Sequence, residues 1–205
     1  MKQFLLSAAA VALIAGPAAA GGLDDPVVTV QPTAPTIASS YDWSGFYIGA
    51  QGGALMGDME YTPGLSFDID PELTYGAFAG YNFQDGAMVY GGEIAGSVFD
   101  GYPVGFPTET FDYIVDAKLR VGYAMDNVLV YGFGGVSTAQ YTDAVSDSWQ
   151  LYGANFGLGG EVGVTDNVAV GVEYIGRYLT GDTATAGQTQ DNWLHGVQAR
   201  VSFRF

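Results

Sequence analysis

The stretch "FDYIVDAKLRVGYAMDNVLVYG" (residues 111–132) decides the fold of this chain. Asp116, Lys118 and Arg120 fall on every second residue, and Tyr113, Val115, Ala117, Leu119, Val121 and Tyr123 fill the positions between them. Successive side chains of a strand point to opposite faces, so this spacing gives one charged face and one apolar face. Met125-Asp126-Asn127 interrupts the run, and Leu129 and Tyr131 follow on a second strand, which is the pattern of a hairpin. A greasy face in a chain of net charge −16 raises the question of what that face touches.

The same unit recurs. Asp85, Asp126 and Asp166 sit in short turn sequences spaced 41 and 40 residues apart, each between alternating segments, as in a repeated two-strand unit. Eight strands are predicted, over about 44–56, 73–84, 87–99, 111–124, 128–141, 150–164, 168–179 and 193–205. Three connections are tight; the other four, 57–72, 100–110, 142–149 and 180–192, are longer and acidic. Tight turns at one end and long loops at the other are the layout of an eight-stranded antiparallel transmembrane β-barrel, with periplasmic turns and extracellular loops.

The N-terminus fits an exported chain. Lys2, an apolar run from Phe4 to Ala15, and small residues ending at Ala18 and Ala20 make a secretory signal over 1–20, with cleavage expected after Ala20. Residues 21–42 carry three prolines and no amphipathic period, and read as an extended acidic linker to a barrel domain over 43–205. The chain has no cysteine, which excludes a disulfide framework or a thiol nucleophile. With 22 acids against six bases, it repels nucleic acid phosphates.

The phase of the charges sets what lies inside. Glu93, Glu161, Glu173, Arg177, Arg200 and Arg204 alternate with apolar residues as Asp116, Lys118 and Arg120 do. With lipid outside, these nine charges line the lumen, where lost solvation requires them to pair. The excess acid falls in the outer connections, Asp58, Glu60, Asp68, Asp70, Glu72 and Asp112 among them, where it reads as solvated charge and not as a metal site.

"YDWSGFYIGAQGGALMG" (41–57) carries Trp43, Gly45, Phe46, Tyr47 and Gly49 in a W-x-G-F-Y-x-G pattern, and "VQARVSFRF" (197–205) ends on an aromatic residue. These segments resemble the small alphaproteobacterial-type outer-membrane barrels, which are similar to the opacity and OmpA-like eight-stranded barrels. The resemblance covers about 43–205. It implies an outer-membrane location and contact with the bilayer and lipopolysaccharide. It also implies a terminal signal, here Val201, Phe203 and Phe205, read by the barrel-assembly machinery, and a structural, porin-like or host-contact role.

Chemistry finds little support. The runs "GFGG" (132–135) and "GLGGEVG" (157–163) lack the Lys-Ser/Thr and helix of a phosphate loop. His195, the one histidine, has no serine two residues away, and Ser202 lies on the opposite phase, so a lipid-modifying hydrolase is not assembled. No cofactor and no catalytic residue is expected. The expected role is structural, an envelope and display protein whose lumen is filled by its charges, because eight strands enclose little more than side chains. A narrow solute channel is the alternative, and a lipid-modifying enzyme a distant one.

Overall fold

The computed structural model describes residues 41–64, 66–99, 110–142 and 147–205. The segment expected to be a signal, with Ala18 and Ala20, and nearly all of the expected linker over 21–42 lie outside the described residues. Eight strands follow in chain order: β1 (Gly45–Thr62), β2 (Ser66–Asp85), β3 (Met88–Phe99), β4 (Thr110–Met125), β5 (Val128–Thr142), β6 (Ser148–Gly163), β7 (Val168–Asp182) and β8 (Thr189–Arg204). Each pairs antiparallel with its chain neighbours, and β1 pairs with β8 from Tyr47↔Arg204 to Thr62↔Thr189, closing the barrel. Closure leaves no edge strand, which is what a wall in hydrocarbon requires. The tight periplasmic reversals stand where the aspartates are spaced; Asp126 takes φ 52, a left-handed conformation that Asp and Asn tolerate.

Strands of 12 to 20 residues exceed the roughly 9–11 needed to cross a bilayer at a tilt, so the wall projects beyond it. Along the projecting part the two faces exchange chemistry. On β1 the outward side runs Phe46, Ile48, Ala50 and then Met56, Asp58, Glu60, Thr62, while the inward side runs Tyr47, Gln51 and then Leu55, Met59. β7 and β8 do the same: outward Val172, Tyr174 and Tyr178 give way to Thr180 and Asp182, and inward Arg200 and Gln198 give way to Leu194. Below, the barrel is greasy outside and charged inside. Above, it is a water-facing barrel with an apolar core of Leu55, Met59, Ile69, Phe111, Ile114, Tyr141, Leu151, Leu179 and Leu194.

This exchange corrects two expectations. Most of 57–72 and the ends of 180–192 are strand, because their acids are the outward half of an alternation whose inward half is apolar. Glu72 also does not sit in an outer loop: Leu55 pairs with Glu72 and Gly57 with Ile69, so β2 holds one extra residue at Asp70-Pro71, and that bulge turns Glu72 into the barrel. The hairpin of 111–132 divides in the same way. Val121 and Tyr123 face outward, but Leu129 and Tyr131 are buried inside.

Several interior rings approach glycines of the neighbouring strand closely. A Cβ on Gly159 would stand 2.5 Å from the Tyr131 ring, and one on Gly80 would stand 2.4 Å from the Tyr47 hydroxyl. Glycine is thus required where the wall must approach a ring. Gly159→Ala is expected to displace Tyr131 and cost about 1–3 kcal/mol, read as a lower urea midpoint in detergent micelles. Gly160→Ala, whose new methyl finds no atom nearer than 3.9 Å, serves as the control. Equal midpoints for the two variants would contradict this packing.

Candidate functional site

The middle of the lumen is a set of matched charges. Glu93 on β3, Lys118 and Arg120 on β4, Glu161 on β6, Glu173 on β7 and Arg200 on β8 are all inward-facing and buried. Alternation on five strands aims them at the same level, which the register Glu93↔Lys118 and Gly171↔Arg200 fixes. Lys118 Nζ donates to Glu173 Oε1 at 2.6 Å and to Glu93 Oε1 at 3.2 Å. Arg120 Nη2 donates to Glu161 at 2.9 Å and Nη1 to Glu93 at 3.4 Å. Arg200 bridges the two hubs, one nitrogen donating to Glu173 and the other to Glu93.

Neutral side chains complete the two hubs. Tyr47 Oη donates to Glu93 at 3.0 Å, Tyr131 Oη to Glu173 at 2.9 Å, and Gln198 Nε2 to Glu173 at 2.8 Å. Arg120 also lies 3.9 Å over the Tyr131 ring, and Arg200 3.9 Å over Phe78. Toward the outer side stands a second, separate pair. Arg177 forks onto Asp116, Nε to Oδ1 at 2.9 Å and Nη2 to Oδ2 at 2.7 Å, while Ser137 donates to the same carboxylate at 2.6 Å.

Four carboxylates thus meet four cations. Arg204, grouped with them on sequence, is not a member. Among the described residues no carboxylate lies within ion-pair reach of it; its guanidinium sits over the Trp43 and Tyr41 rings at 4.6 and 5.0 Å. Its phase was readable, but its partners precede β1 and belong to no strand. Sequence reasoning also missed Tyr47, Tyr131 and Gln198 as members. Tyr47 shares a phase with Gln51, which was a usable signal; β5 carries no charge to reveal the phase of Tyr131.

Apolar layers bound the charges on both sides. The core of the projecting wall lies outward of them, and Trp43, Val89, Ala124, Leu129 and Ala169 lie toward the periplasmic mouth, while Tyr131 and Phe133 stand at the level of the charges themselves. A void of ≈ 10 Å³ lies between Ser97, Ile114, Arg177 and Gln198, about the space of one water. His195 faces outward on β8, its Nδ1 2.7 Å from Tyr174 Oη, whereas Ser202 is buried inside. Val201, Phe203 and Phe205 are exposed on the outer face.

A closed ring with an apolar outer belt and ionised residues inside defines a transmembrane β-barrel of the outer-membrane kind. The chain matches the outer membrane protein beta-barrel domain over residues 6–205 and belongs to that family. It is 34% identical over 140 residues to a 22 kDa outer membrane protein of Rhizobium leguminosarum bv. viciae, covering 64% of this chain and 62% of that protein. It is 30% identical over 188 residues to the 25 kDa outer-membrane immunogenic protein of Brucella abortus, covering 85% of each. In structure it is similar to Neisserial surface protein A, with a TM-score of 0.53 at 18% identity, covering 79% of this chain and 98% of that one. The chain is an outer membrane protein.

Paired charges taken out of water are stable only as pairs. Arg177→Met leaves Asp116 charged and unmatched, at a cost of about 3–5 kcal/mol. Asp116→Leu with Arg177→Met removes both charges and is expected to recover most of that loss. Urea unfolding of the two variants in micelles checks it; a double variant as unstable as the single one would contradict the pairing.

Proposed function

We propose that this protein is a structural and surface-display element of the outer membrane, with a lumen filled by its own charges and not open to solutes. The observation that carries this reading is the matching of four carboxylates with four cations between two apolar layers. An ion entering would have to break pairs that no water replaces, and it would have to cross Leu55, Met59, Leu151 and Leu179 on the outer side. The outward acids Asp58, Glu60, Asp68, Asp70, Asp182 and Asp191 stand beyond the belt, a negative rim presented to the medium. That the Brucella relative is named immunogenic supports a surface that is displayed.

The partners in this reading are the bilayer, lipopolysaccharide and the assembly machinery that takes up the outward Val201, Phe203 and Phe205 face. Export runs through the signal over 1–20. A catalytic role has little support, because His195 is engaged with Tyr174 and Ser202, the serine of its strand, points the other way. A lipid A acyl-chain assay changed by His195→Ala would reverse that part of the reading.

Purified protein in planar bilayers is expected to give no stable conductance steps. Steps that change in size with Arg120→Ala or Glu161→Ala would establish the channel instead. Deleting Phe205 is expected to lower the yield of heat-modifiable, folded protein in outer-membrane fractions; an unchanged yield would remove the terminal residue from the assembly signal.

A further inference from the structure

The four residues before β1 are not a tail. Trp43 is 0% exposed inside the periplasmic mouth, although it precedes the wall and contributes nothing to the sheet. Its backbone N donates to Gln84 Oε1 at 2.7 Å, and Gln84 N donates to Ser44 Oγ at 3.2 Å, which ties the segment to the end of β2. Arg204 Nη1 donates to Asp42 O at 2.7 Å, which ties it to the end of β8. The Tyr41 ring lies where a Cβ on Gly163 would stand, 2.4 Å away, at the end of β6. The segment therefore crosses the mouth and touches three separated points of its rim.

We infer that Tyr41–Ser44 form a latch that locks the β1–β8 seam from the periplasmic side, with Arg204 as its catch. The seam joins the first strand to the last, so it is the junction that completes the barrel. Arg204 stands at the final inward position of β8, opposite Tyr47 of β1. Its guanidinium reaches the Trp43 ring and the Asp42 carbonyl only when those two strands are paired, since the gap between unpaired strands would carry it away. Gly163 and Gln84 likewise come to opposite sides of the segment only on a closed ring. The latch cannot seat early, and once seated it resists the first separation of the seam.

The seat is also releasable. Among the described residues the buried Trp43 indole N–H has no acceptor, so the tilted contact with the Tyr41 ring and the Arg204 contacts hold it, not a completed set of hydrogen bonds. Among the described residues the inner apolar layer thus contains a part separate from the wall, whereas the outer layer is built from strand residues. Release uncovers the lower lumen from the periplasm and opens no through path.

The absence of cysteine allows a direct test. Ser202→Cys places a thiol in the lower lumen next to the latch, and Ser97→Cys places one beyond the charge network; both serines are buried. Each is refolded in micelles and exposed to a small charged thiol reagent. Adding Trp43→Ala is expected to raise the labelling rate of the lower thiol at least about tenfold through local opening, with the rate of the upper thiol unchanged. Arg204→Gln is expected to give the same pattern. Trp43→Phe keeps a ring, is the variant that should refold most readily, and should give a smaller rise at the lower thiol. An unchanged rate at the lower thiol in these variants, or a parallel rise at the upper one, overturns the latch.

Discussion

Hydrocarbon around the lower wall is the constraint on which the rest of this structure depends. It offers no partner to a backbone N–H or C=O, so the sheet must close on itself. It offers none to a charge, so every ionised side chain at that depth points inward, where water is scarce as well. The middle of the interior then holds charge in matched sets, and Arg204 at the periplasmic mouth lies over aromatic rings instead. Glu93 and Glu173 answer this by accepting from several donors each, and Asp116 by taking the planar fork of Arg177 together with the Ser137 hydroxyl. The pairing follows from the solvent outside the barrel as much as from anything within it.

Where hydrocarbon ends, the same backbone alternation serves the opposite partition. Trp193 and Tyr178, rings in contact at 5.0 Å between centroids, stand at the change, and the next outward residues on their strands are Asp191 and Thr180. Inside, the polar sequence of Arg200 and Gln198 is succeeded by Leu194 and the apolar core of the projecting wall. The strands change neither phase nor pairing; the surroundings change around them. A wall continuous with a small water-facing barrel is stiff, and its outer core lies between the ionic layer and the medium, where the proposed reading has it seal the lumen. Both properties suit a display element.

The closed antiparallel barrel was legible because β4 and β8 write their two faces in charge: Asp116, Lys118 and Arg120 on one strand, Arg200 and Arg204 on the other. The phase of β5 was not, since Val128–Thr142 holds no ionised residue and its inward Leu129, Tyr131 and Phe133 look like membrane contacts. The projecting hairpin of β1 and β2 was read as loop because acidity was taken for irregularity, when Asp58 and Glu60 alternate with Leu55, Met59 and Tyr61. The bulge at Asp70-Pro71 then moved Glu72 inside, a shift of one residue that no composition records. The place of Arg204 depended on a contact with Trp43 across 161 positions of chain, where no local pattern could reach it.

The most direct measurement concerns what touches the outer face. Single spin labels at Leu119, Val136 and Val172, in the belt, and at Gln150 and Asp182, on the projecting wall, can be placed in the cysteine-free chain by substitution to Cys and compared in lipid bilayers. Collisions with oxygen, which concentrates in hydrocarbon, should dominate at the first three positions, and collisions with a water-soluble nickel chelate at the last two. Nickel access equal at all five positions would mean that water surrounds the whole wall, and the account would fail.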